Sequence, residues 1–317
     1  MTEQIPDLDL PDPAATSETL RQALDKMPRP LFAVLDGGLF DDLPGDLSSK
    51  NIVCRSLFLD HADKDIELAG PWLVPLADDE ALGHVVGLAI TQPCAVFWSC
   101  PDGDMALWHH LRTINEILIP AEAAAGKVIT AKLSGNFKRV LFRHWDPNVL
   151  AQTLPAFDLM QFQRLLGPAS EALFLPRGEW GNRIIRASRS SSAEPSPRGA
   201  LRLGHETIKA IEEKRNDALV RRRMIYLREV APDQTLGMNN SDLYSFVREE
   251  ENKIKKFGVT NQENIALWTF MQITSQSDLS KDPNIIEYMK AKSIKDTPDQ
   301  RVKSIFDFRL TLLKDNF

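Results

Sequence analysis

The chain has 317 residues, 43% hydrophobic and 26% charged, with a net charge of −6. Those values predict a two-domain globular protein able to bury a real core. No apolar run reaches membrane-spanning length and the start carries no basic-then-apolar signal, so a cytoplasmic protein without a membrane partner is expected. Cys54, Cys94 and Cys100 form no CxxC pair, which argues against a disulfide framework or a thiolate metal site. Charge is unevenly placed. Residues 1–180 hold 25 acidic and 14 basic side chains, a net of −11; residues 181–317 hold 19 and 24, a net of +5. Two lobes with different electrostatic surfaces follow.

Residues 1–27 read as an acidic, proline-punctuated lead, either without regular structure or forming a short docking strand. Leu31 to Leu35 reads as a strand ending at Asp36-Gly37-Gly38, a tight turn predicted to need positive φ. Val53 to Leu59 and Trp72 to Leu76 read as further strands. Asp78-Asp79-Glu80 opens a helix with Leu82, Val85, Val86, Ala89 and Ile90 on one face. Ala95 to Ser99 is a strand. Asp102-Gly103-Asp104 starts a helix striped by Leu107, Leu111, Ile114 and Leu118 that is predicted to run to Pro120. Val128 to Leu133 and Val140 to Trp145 read as paired strands. Asp146 is a good N-cap and Pro147 fits a first helical position, so a helix is expected to about Leu154. Phe157 to Leu166 reads as another helix, stopped by Gly167-Pro168.

Strands alternating with helices predict an α/β lobe with a mixed sheet over 28–187. The Ser-, Pro- and Arg-rich stretch within 188–205 reads as a linker or long loop. An all-α lobe over 206–317 follows, with helices at Glu206 to Val230, Ser241 to Phe257, Asn261 to Thr274, Asp282 to about Lys292, and from Thr297 onward. Asn261 to Thr274 is apolar nearly all round and is predicted to be buried.

Few constellations carry chemistry. The Asp-Gly-Gly turn lacks a phosphate-loop pattern. Cys100, before a helix with His109 and His110, suggests a Cys/His-dependent hydrolase as an alternative, but Asp102 and Asp104 oppose a thiolate there. The six histidines show no ligand spacing, so neither metal nor cofactor is expected. Arg221-Arg222-Arg223, with Arg215 and Arg228, raises a nucleic-acid-binding or regulatory module as a further alternative. Consecutive helical arginines fan around the axis, however, so no nucleic-acid partner is expected. Asp36, Arg55, Arg143 and Asp146 each fall near a strand end, and a structural lock of Arg–carboxylate pairs is predicted from them.

Several ordered segments carry a resemblance: Leu31 to Asp36, Arg55-Ser56-Leu57-Phe58, Gly70-Pro71-Trp72-Leu73-Val74, Leu111-Arg112, and Phe142-Arg143 through Asp146-Pro147 to Val149-Leu150. In this order, over Leu31 to Leu154, they resemble the effector adaptor–chaperones of bacterial type VI secretion. His144 and Trp145 stand where that family commonly has two aromatic residues, and Asn148 where it often has Arg. The stretch Ala121 to Lys138 is longer than usual. The resemblance implies a non-catalytic cytoplasmic adaptor. It would bind a toxic effector and help load it onto the VgrG spike. Trp72, Trp145, Arg215 and Arg222 are the candidate protein-binding residues under that reading.

Overall fold

Every residue of Leu31–Asp36 is buried, the pattern of a strand covered on both faces. In the computed structural model, which describes residues 13–58, 63–124, 136–189, 199–275, 277–291 and 295–314, this strand belongs to the first of two units, Asp9–Arg215 and Asn216–Phe317.

The first unit opens with α1 (Pro13–Asp25), β1 (Leu31–Asp36), α2 (Leu43–Ser49), β2 (Arg55–Ser56), α3 (Lys64–Leu68), β3 (Pro71–Pro75), α4 (Asp79–Thr91) and β4 (Ala95–Ser99). It continues with α5 (Gly103–Arg112), β5 (Glu116–Pro120), α6 (Ala121–Ala124), β6 (Phe137–Leu141), α7 (Pro147–Thr153), α8 (Leu159–Leu166), β7 (Glu171–Phe174) and β8 (Ile185–Ser188). Six strands form one sheet in the order β2-β3-β1-β4-β7-β8, and each of these pairs is antiparallel. Strand periodicity then divides the core. Phe32, Val34, Val96 and Trp98 face one side, with Leu107 and Leu111 of α5 and Leu165 and Leu166 of α8. Leu31, Ala33, Leu35, Ala95 and Phe97 face the other, with Leu20 and Leu24 of α1, Leu43 and Leu47 of α2, and Leu82, Val85 and Val86 of α4. Two covered faces explain why β1 and β4 read as unbroken apolar runs.

Three expectations change. The lead over 1–27, expected to lack regular structure or form a short strand, contains α1, because Leu20 and Leu24 lie one turn apart and complete a sheet face; residues 1–12 lie outside the described residues. The helix expected to reach Pro120 ends at Arg112. Its stripe is spent at Ile114, and Glu116–Pro120 pairs antiparallel with Phe137–Leu141 as β5 and β6. The strand read at Val128 to Leu133 falls within 125–135, outside the described residues. Third, residues just before α9 (His205–Val230) are no bare linker. Leu201 and Leu203 are buried, Leu118 N–H donates to the Leu201 carbonyl, and Leu203 N–H donates to that of Leu118. The Ser-rich part of the linker, 190–198, lies outside the described residues.

The boundary between units falls inside α9. The second unit holds α10 (Pro232–Thr235), α11 (Asn240–Lys255), α12 (Gln262–Ile273), α13 (Pro283–Lys290) and α14 (Pro298–Lys314). Ile265, Trp268 and Met271 of α12 are buried among Ile254, Leu279 and Val302. The second half is thus helical and the first α/β.

Candidate functional site

The strand-to-helix junction at Arg143 builds one cluster. Asp146 caps α7, accepting from the N–H of Asn148 at 2.8 Å and of Val149 at 3.3 Å, with Pro147 at the first helical position. The Arg143 guanidinium reaches Asp36 at the end of β1 at 2.5 Å and Asp146 at 3.3 Å. Asp36 is buried, with its side chain 4% exposed, whereas that of Arg143 is 46% exposed. Burial pushes the Asp146 carboxyl above its ordinary range, opposed by Arg143 and the two capping N–H groups. Three of the four residues assigned to the lock therefore meet. Arg55 does not join them: it sits 3.9 Å from Asp104 and 5.5 Å from the centre of the Trp108 ring, because β2 lies at the sheet edge beyond β3.

Beside Asp36, Gly37 has no positive φ, contrary to the expected turn. Its need is space. A Cβ there would lie 2.0 Å from the Leu68 carbonyl and 2.6 Å from that of Gly70, whose oxygen accepts the Gly37 N–H at 2.9 Å.

The four residues nominated for protein binding are scattered. Trp145 is only 2% exposed, so it packs in the core against Phe58 rather than offering a surface. Trp72 is half-buried and donates its indole N–H to the Leu68 carbonyl. Arg215 and Arg222 are exposed on α9, one in each unit. Their neighbour Arg223 is buried, 2.9 Å from Glu251 and hydrogen-bonded to Gln262. The arginine run of α9 is thus divided between solvent and a buried structural pair.

Cys100 is fully buried, and burial raises its thiol pKa, the opposite of nucleophile activation. Desolvation holds His110 down to about 4; its Nε2 lies 2.8 Å from the Leu165 carbonyl. His144, wholly enclosed, is held down to about 3, with its Nε2 2.9 Å from Asn115 Oδ1. Among the described residues no group of three or more His, Cys, Asp or Glu is placed to hold a metal ion, and no helix is long and apolar enough to cross a membrane.

The first unit also contains an open groove of about 950 Å³ that the sequence did not disclose. Leu57, Phe58, Ile117, Leu118 and Leu141 give it an apolar lining, and Arg112, Arg139, Arg164 and Glu116 its charge. Arg112 lies 4.1 Å from the centre of the Trp108 ring. Arg164 donates to the Gly199 carbonyl at 2.6 Å and Thr113 Oγ1 at 2.7 Å. Two local signals were present: an aromatic–Arg pair four residues apart, and a single cation within the apolar run of α8.

No curated protein and no solved structure matches the chain. Residues 31–164, which span the Asp36–Arg143–Asp146 cluster and most of the groove lining, match the family described as Domain of unknown function (DUF4123).

Proposed function

We propose that the protein is a non-catalytic cytoplasmic adaptor–chaperone of type VI secretion, which holds a toxic effector and helps load it onto the VgrG spike. The observation that carries this reading is a coincidence of extent. The segments that resemble the adaptors occupy Leu31 to Leu154, and the family match covers 31–164. Two further features support it. The α/β unit presents an open groove of mixed apolar and charged lining, a form suited to a polypeptide segment. Cys100, the candidate nucleophile of the hydrolase alternative, is buried with a raised pKa.

Co-expression with toxin and spike candidates from the same gene cluster, followed by affinity purification, tests the proposal. A stable ternary or binary complex is expected. In the parent bacterium, deleting the gene should abolish export of one toxin and leave export of the tube protein intact. Loss of all secretion would instead make the protein a structural part of the machine.

A further inference from the structure

We propose that the groove of the α/β unit is a docking slot for an acidic peptide segment with interspersed apolar side chains, supplied by a partner protein. That the partner is a secretion cargo rests on the function proposed above; the chemistry of the slot does not. Residues 1–180 carry 25 acidic and 14 basic side chains, yet the groove they largely build gathers three guanidiniums against one carboxylate. Glu116 is engaged by Arg139 at 3.3 Å, and both side chains are exposed. Arg112 has no carboxylate within ion-pair distance among the described residues, and the Trp108 face holds its guanidinium. Arg164 is 8% exposed, and its hydrogen-bond partners, Gly199, Thr113 and His110, are neutral. Desolvation lowers its pKa, a cost that a nearby anion would relieve. Two cations are therefore held in place with their positive charge uncompensated, which favours a carboxylate-bearing occupant without further ordering.

The other lining selects a peptide over a nucleic acid. Leu57, Ile66, Ile117, Leu118 and Leu141 are aliphatic, and the two aromatic rings of the lining are each engaged by a neighbouring indole, Phe58 by Trp145 and His109 by Trp108, so aliphatic contact outweighs base stacking. Leu141 is 58% exposed on β6, an apolar side chain available to a partner. Leu57, Phe58 and Arg112 lie in segments that carry the family resemblance, so the slot is built from the same part of the chain.

The test uses the full chain and three fluorescent peptides of about twelve residues: one alternating Glu and Asp with Leu and Phe, one with Lys in place of the acids, and one with Ser in place of the apolar residues. Fluorescence anisotropy is measured with and without inorganic polyphosphate as competitor. The acidic–apolar peptide should bind best. Its affinity should fall at least about tenfold in the Arg112→Glu/Arg139→Glu double variant and about threefold in Leu141→Ser. Leu141 is exposed, so Leu141→Ser keeps the test valid where the charge reversals disturb folding. Equal binding of the Lys or Ser peptide, tighter binding of polyphosphate, or unchanged affinity in the variants overturns the proposal. Toxin capture separates the two readings. If the groove variants lose the acidic–apolar peptide yet still co-purify with the toxin, the cargo does not occupy the slot and the adaptor stands. If the wild-type chain binds the acidic–apolar peptide and captures no toxin, the adaptor fails and the slot stands.

Discussion

At the scale of single residues, Arg143 does two jobs that its exposure disguises. It pairs with buried Asp36 and with Asp146, and without it two carboxylates face one another in a partly desolvated site. Breaking a fully buried pair costs about 3–5 kcal/mol and a surface pair about 0–1. Because Arg143 is half in water, Arg143→Ala should cost about 1–3 kcal/mol, within that span. Urea unfolding at two pH values checks this: the deficit should shrink on mild acidification, when Asp146, whose carboxyl burial holds above its ordinary range, takes a proton. A deficit independent of pH would mean that the guanidinium acts through packing alone. Gly37→Ala should cost more than about 2 kcal/mol, since its Cβ would strike two carbonyl oxygens. Gly87→Ala, in the middle of α4 with open space around it, should instead stabilise by about 0.5–1 kcal/mol. Thermal melts of the two variants should move in opposite directions.

At the scale of elements, two helices show how burial divides residues that look alike in sequence. Arg222 and Arg223 are neighbours, yet one is exposed and the other is held between Glu251 and Gln262. Arg223→Met should cost about 2–4 kcal/mol, because Glu251 loses its buried partner and keeps only the half-exposed Lys255 at 2.6 Å, and Arg222→Met less than about 0.5. Similar losses for both, read from denaturant midpoints, would refute the division. Helix α1 is the counterpart in the first unit. Leu24→Ala should cost about 2–5 kcal/mol, because Leu24 is fully buried against the sheet. A lead without structure would tolerate that change freely, so the measurement also tests the correction to residues 13–25. Strand β5 carries the same lesson: Leu107, Leu111 and Ile114 follow helical spacing, and nothing local announces that the next turn opens into a strand.

At the scale of the whole molecule, acid stability should reflect buried imidazoles. His110 is held to about 4 and His144 to about 3, against an ordinary 6.5. Both are neutral in the folded protein and take up protons once unfolded below about 6.5. Their neutral burial is therefore fully tolerated above that pH, and stability falls as pH drops from about 6.5 towards 4 for His110 and towards 3 for His144. His144→Gln, which can keep the hydrogen bond to Asn115, should flatten that fall. Unfolding free energies across a pH series would show it, and curves parallel to wild type would reject the assignment.

Local chemistry determined much of this protein before any fold was known. The strand at Leu31, the strand Ala95–Ser99, the capped helix after Asp146 and the helices of the second unit each rest on periodicity, caps or Pro and Gly within a few residues. The closeness of Arg143 and Asp146 was legible because they stand three positions apart. Tertiary structure alone decided the rest. Arg143 meets Asp36 across 107 positions in sequence, and Arg55 misses them because β3 intervenes. Trp145 went to the core although an indole suits a surface as well. Strands β7 and β8 are four residues each, too short to show a period, and β7 joins the sheet through β4, far away in sequence. The groove was least visible of all, since its lining comes from six separate stretches between Leu57 and Ala200 and no local pattern records which side chains a fold leaves uncovered.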